Sequence, residues 1–259
     1  MLGLALSAML ATCMLQTPAL AHEVGLRALP WLPPDLARQV ARHPRAFTEG
    51  YLAAARWPAN MHLPEANPGV DAAIALQCER LAQAIRNERP FEEVVAGMGA
   101  LAHLAVDHAA PFPGANASDA DATAFRTYLP TALPRIPLVF YGQQRRLIAG
   151  TAAGIPAYLT VQRRAVGPLG ALIREDLARV GGPQEWRLLD DRSTTFGAAS
   201  LVINHAVSDF VNLASWVWSH AGGLVPTIEA SKDTLLVWKG DPQPRETPRS
   251  YIRFRQTRR

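Results

Sequence analysis

Gly97-Met98-Gly99-Ala100-Leu101-Ala102-His103-Leu104-Ala105-Val106-Asp107-His108-Ala109-Ala110-Pro111-Phe112-Pro113 reads as an apolar helix that carries two polar side chains one turn apart and is stopped by proline. His103 and Asp107, at i and i+4, project from one face, and Ala102, Ala105 and Ala109 leave room for other helices to approach. A carboxylate buried alone among such residues is costly, so the spacing predicts a metal or a basic partner. Two outcomes fit it: a metal-binding helix, or a histidine and an aspartate that bond each other or buried backbone groups.

The pattern recurs near the end of the chain. Phe196 to Trp218 is mostly apolar and alanine-containing, again carries a pair at i and i+4, His205 and Asp209, and stops at His220-Ala221-Gly222-Gly223. Two such pairs in a chain with 7 histidines favour metal at one of them at least, against two internal hydrogen bonds. Between the pairs and before them the periodicity is helical over Asp35–Arg42, Phe47–Ala55, Val70–Asn87 and Leu169–Val180, with Asp35 in an N-cap-like place. Pro130, Pro134 and Pro137 are expected to break the segment that begins at Phe125. Leu138 to Gly142 suits either a short strand or a buried helix, and Thr234 to Trp238 suits a strand. The fold class expected is all-α. His62 falls in the proline-punctuated loop Arg56 to Glu65, where it is either a ligand or an exposed histidine.

With 259 residues, 49% of them apolar, the chain can bury a large core, and one helical domain over 22–223 is expected. The segment 224–259 reads as a strand-like stretch followed by a basic, proline- and arginine-rich tail. A net charge of +4, 7% aromatic residues and no interleaved basic-aromatic ribbon argue against nucleic-acid binding. Arg249, Arg253, Arg255, Arg258 and Arg259 form either a solvated tail or a contact for anionic lipid or cell-surface polymers.

Residues 1–21 hold no charged residue and end in Pro18-Ala19-Leu20-Ala21, a small-x-small pattern that predicts a secretory signal and a periplasmic or secreted protein. A membrane anchor competes, but Thr12, Gln16 and Pro18 interrupt the apolar run. Cleavage after Ala21 removes Cys13, leaves Cys78 as a buried apolar residue without a disulfide partner, and makes His22 N-terminal, where its amine and imidazole could chelate one metal together.

An apparent signal, a helical body and repeated His-x-x-x-Asp helices resemble the zinc-dependent phospholipase C and S1/P1 nuclease superfamily. Gly99 to Asp107 followed by Pro111-Phe112 resembles its Gly-x-x-x-His-x-x-x-Asp-x-x-x-Pro-aromatic helix, and Phe47-Thr48-Glu49-Gly50 its Phe-x-x-Gly. His22, upstream of Leu32-Pro33-Pro34, resembles the early histidine ligand, and His62 sits where a later one follows. The likeness runs over roughly residues 22–128. It departs at four points. No tryptophan counterpart precedes His22; Ala55 stands where an aspartate is expected; Pro113 stands where a histidine follows the Pro-aromatic pair; and Ala122 and Arg126 replace a His-x-x-x-acid pair. His205 and Asp209 are the candidates to supply that pair from later in the chain.

The resemblance implies a bundle of the phospholipase C/P1 nuclease type holding one to three zinc ions, with His22, His62, His103, Asp107, His205 and Asp209 as candidate ligands. Asp107, bridging two ions, is the candidate catalytic residue for hydrolysis of a phospholipid or another phosphoester by activated water, with contact to a membrane surface. The other reading is a helical envelope protein that keeps the scaffold and binds lipid or a partner without catalysis. Phe210, Trp216, Val217 and Trp218 then either line an apolar groove or belong to the core.

Overall fold

Phe91–His108 and Thr194–His220 are the two longest helices among the described residues, and both are buried on every side through much of their length, Met98 to His108 in one and Val202 to Val217 in the other. A helix apolar around its whole circumference has to lie inside other helices. The structure, a computed structural model, describes residues 18–64, 66–67, 69–114, 118–228 and 237–238. Within them the chain is all-α apart from one strand pair. In order come α1 (Pro18–Ala28), α2 (Pro34–Arg42), α3 (Pro44–Ala54), α4 (Val70–Arg86), α5 (Phe91–His108), α6 (Ala120–Ala132), β1 (Leu138–Val139), α7 (Arg145–Ile148), α8 (Ile155–Val166), α9 (Leu169–Arg179), α10 (Thr194–His220) and β2 (Val237–Trp238). Helix α5 packs on α3, α4 and α10, while α10 also packs on α1, α4 and α9.

The closest packing joins α3 to α5 and depends on two glycines. A Cβ on Gly50 would fall 1.8 Å from the Ala96 carbonyl oxygen, and one on Gly99 would fall 1.9 Å from that of Phe47. The two backbones therefore touch directly, which only glycine permits at these positions.

Local signals set most of the boundaries. Pro34 and Pro44 occupy first-turn positions, where a missing N–H costs nothing. Helix α3 accordingly begins at Pro44 and not at Phe47, and Asp35 lies inside the first turn of α2, with Pro33 in the cap position. Asp119 caps α6 by accepting from Ala122 N (2.9 Å), and Ser193 caps α10 by accepting from Phe196 N (3.0 Å). Helix α10 ends where Gly222 takes φ +89°, with Gly223 N donating to the Trp218 carbonyl and Gly222 N to that of Ser219. Pro130 does not break its segment. It lies in the last turn of α6, so only the carbonyl one turn back loses a partner and the helix runs on to Ala132.

Strand β1 pairs antiparallel with β2, Leu138 opposite Trp238 and Val139 opposite Val237, so the start of the Leu138–Gly142 stretch is strand, while Gly142 takes φ +92°. The extended segment is clamped to α10 by side chains at i, i+4 and i+8. Asn204 Oδ1 accepts from Val139 N (2.9 Å), Ser208 Oγ from Tyr141 N (3.1 Å) and Asn212 Oδ1 from Gln144 N (2.8 Å). Two extended residues advance about 6.6 Å and one helical turn about 5.4 Å, so the first two rungs nearly match. These bonds account for polar side chains in an otherwise apolar helix.

Several expectations fall wholly or partly outside the described residues: most of the signal segment together with Cys13, the start of the Thr234–Trp238 stretch, and the arginine-rich tail. Helix α1 spans the expected cleavage point after Ala21, and its Leu20 is buried in the core. Cys78 is buried, as expected. Phe210, Trp216 and Val217 are core residues and Trp218 packs partly buried against the core, while Trp216 also lines a pocket with Arg86, Thr151 and His220. Among the described residues no helix is long and apolar enough to cross a membrane.

Candidate metal centre

Helix α5 carries His103 and Asp107 into the core, 1% and 9% exposed. Its third partner arrives from the loop after α3. Pro58 turns the chain into a 3-10 turn, Ala59–His62, and the Leu63 carbonyl then accepts from Val70 N (3.0 Å), returning the loop to the start of α4. The turn drives His62 inward to 5% exposure, so it is not an exposed histidine.

His62 Nδ1 stands 2.6 Å from Asp107 Oδ2, and His103 Nε2 stands 3.1 Å from the same oxygen. The two outcomes left open for His103 and Asp107 thus merge: the pair meets, and a second imidazole joins it. One ligand atom from each of His62, His103 and Asp107 lies within 4.8 Å of the others. Ligand atoms on a common ion sit about 2 Å from it and so up to about 4 Å apart, and two imidazole nitrogens with a carboxylate oxygen suit zinc. The donor set and its spacing fit a divalent ion with small side-chain rotations.

The surroundings orient the rings. Tyr51 of α3 meets His103 edge-on at 4.9 Å between ring centres, and His62 meets His103 in the same manner at 5.3 Å. Burial pushes the Asp107 carboxyl up, but the charge of His103 and the hydrogen bonds from both histidines outweigh it and hold the carboxyl below its ordinary value. Asp107 is therefore an ionised, buried acceptor with basic partners, the state its helical spacing predicted.

Of the remaining candidates, His205 and Asp209 do not join this group. His22 lies in α1, and its side chain is outside the described residues. His205 and Asp209 are buried on α10 in a different environment. The Tyr141 ring packs against His205 at 4.6 Å, and Asp209 Oδ1 accepts from the Tyr158 hydroxyl at 2.5 Å. Burial, only partly offset by the charge of His108 and the Tyr158 bond, pushes Asp209 up to about 6. Burial, and then the charge of His108, lowers His205 below its ordinary value.

His108, Asp71, Tyr158 and Arg163 surround this second pair and were not singled out from the sequence. His108 Nδ1 lies 3.1 Å from Asp71 Oδ1, which also accepts from Arg163 Nη2 at 2.5 Å; that same nitrogen of Arg163 is 2.8 Å from His108 Nδ1. The usable signal was the position of His108, next to Asp107 in an apolar helix with no turn residue to expose it. No protein-family model matches the chain, and no curated protein matches it.

Proposed function

We propose that the chain is an exported, zinc-dependent phosphoester hydrolase that takes phospholipid or a related phosphoester as substrate. The buried cluster of His62, His103 and Asp107 carries this reading. Its export rests on the uncharged, apolar composition of residues 1–21.

Zinc bound there supplies a Lewis acid and lowers the pKa of a bound water toward neutrality. The protein's own residues hold and orient. Asp107 keeps its charge because two imidazoles face it, His103 is fixed on α5 against Tyr51, and His62 is delivered by a turn anchored to α4. Asp107, at 9% the most exposed of the three, is the edge from which a phosphoester would be approached.

The test is metal analysis of the purified chain together with a phosphodiesterase assay on bis-p-nitrophenyl phosphate and on short-chain phosphatidylcholine. At least one zinc per chain and chelator-sensitive hydrolysis are expected, with hydrolysis reduced about 100-fold or more and zinc content lowered in His103→Ala. Less than one ion per chain, or hydrolysis indifferent to chelation, overturns the proposal.

The non-catalytic scaffold is favoured by one feature, the near-complete burial of all three side chains, which also suits a metal with a purely structural role. Zinc that raises thermal stability while neither substrate is cleaved would decide for that reading.

A further inference from the structure

The last two turns of α4, the end of α10 and the 3-10 turn Ala152–Gly154 enclose a recess of about 460 Å³, within the size range of small-molecule sites. It is remote from the cluster at His62, His103 and Asp107. Helices α4 and α5 run antiparallel, with Asp71 beside His108 and Gln77 beside Gly97, so the stretch Glu79 to Arg86 that lines the recess lies toward the start of α5. The Phe91 ring at that start meets Trp218 near the end of α10, 6.3 Å between ring centres.

Small residues open the space, and an aromatic pair forms one wall. Ala82 of α4 and Ala152 of the turn stand where larger side chains would fill it. The Trp216 indole is fixed, because its Nε1 donates to the Gly150 carbonyl at 2.8 Å. His220, one turn further along α10, stacks on that indole at 3.9 Å between ring centres and an interplanar angle of 16°. A carbonyl can only accept, so the 2.9 Å contact of His220 Nδ1 with the Trp216 carbonyl puts a proton on Nδ1 and holds the imidazole in the stack.

The rim is cationic, with Arg80 and Arg86 against a single acid, Glu79. Arg86 is already engaged. It donates to the His220 carbonyl and to Gln83 Oε1, both at 2.7 Å, and so ties the end of α10 to α4. Arg80 makes no hydrogen bond or ion pair among the described residues, which leaves its guanidinium available.

We propose that this recess binds a flat aromatic carboxylate, its ring extending the stack of Trp216 and His220 and its carboxylate taken by Arg80. A guanidinium fork matches a carboxylate with two parallel bonds. One free arginine beside Glu79 suits a single negative charge better than a phosphate dianion. A ring gains stacking on the imidazole as well as apolar burial, whereas an aliphatic chain gains burial alone. The site is independent of the phosphoester reading and of zinc.

The test is titration calorimetry of the full-length chain with 2-naphthoate, set against the uncharged 2-naphthamide and the ringless cyclohexanecarboxylate. The wild type is expected to bind 2-naphthoate at least about 10-fold more tightly than either comparator. Arg80→Gln should weaken 2-naphthoate about 10-fold or more and leave 2-naphthamide unchanged. His220→Ala should weaken both, and His220→Phe, which keeps a ring in the stack, should restore them. Thr151→Trp, from the exposed edge of the recess, should fill it and abolish binding. Arg80 and Thr151 are exposed, so both variants keep the fold, which thermal melts check. Chelator and His103→Ala should change nothing. A wild type that does not bind 2-naphthoate, binding undiminished in Arg80→Gln or in Thr151→Trp, or binding lost with chelator overturns the proposal.

Discussion

Asp107 and Asp209 are the same residue type in the same helical spacing, each four places after a histidine on an apolar helix, yet they titrate in opposite directions. Asp107 faces two imidazoles and is held below its ordinary value, whereas Asp209 has one tyrosine hydroxyl and is pushed up to about 6. In metal-free protein a raised carboxyl favours folding only while protonated. Its contribution is therefore full below the ordinary carboxylate value of 3.8 and is lost as pH rises through about 6. That loss is worth about 3 kcal/mol. Asp209→Asn stays neutral throughout, so in chelator its stability relative to wild type should improve by about that amount between pH 4 and pH 8, as read from urea melts at both values. An unchanged difference would mean that Asp209 is already neutralised. Asp107 has the opposite sign, and its contribution is lost as pH falls. The i, i+4 spacing made both pairs legible as candidates. It could not distinguish them, because the partners that decide the matter, His62 and Tyr158, arrive from remote segments.

The same limit holds for the elements. Helix periods and proline or glycine stops were legible, and so was the place of α5 and α10 as central helices, because an apolar stretch of that length admits no solvent face. Pro130 was misleading because proline is tolerated where few turns remain to be broken, and the clamp of Asn204, Ser208 and Asn212 depends on the register of a distant extended segment. Glycines show the difference between local and tertiary constraint most directly. On α10, a Cβ at exposed Gly197 meets nothing within 4 Å, so Gly197→Ala should stabilise by about 0.5–1 kcal/mol through helix propensity alone. On α5, Gly99 touches the Phe47 carbonyl, so Gly99→Ala must drive α3 away and should cost about 3 kcal/mol. His103 lies one turn beyond Gly99 and its ring rests on Tyr51 of α3, so the same variant should also weaken zinc binding. Denaturant melts of both variants check the signs, and equal effects would refute close backbone contact between α3 and α5.

At the scale of the molecule, the cluster of His62, His103 and Asp107 lies where separate parts of the chain meet, joining α5 to the turn after α3. An ion that binds only when these parts are assembled stabilises the folded state by mass action. It contributes about 2.7 kcal/mol when free zinc is 100 times its dissociation constant. For a domain of this size 1 kcal/mol moves the melting temperature by about 2–4 °C, so the occupied site should raise it by about 5–10 °C. Stripping the chain with chelator should therefore lower its melting temperature, and zinc should restore it in the wild type but not in His103→Ala. A full zinc-dependent shift in His103→Ala would place the stabilising ion elsewhere and remove this cluster from the account of the fold.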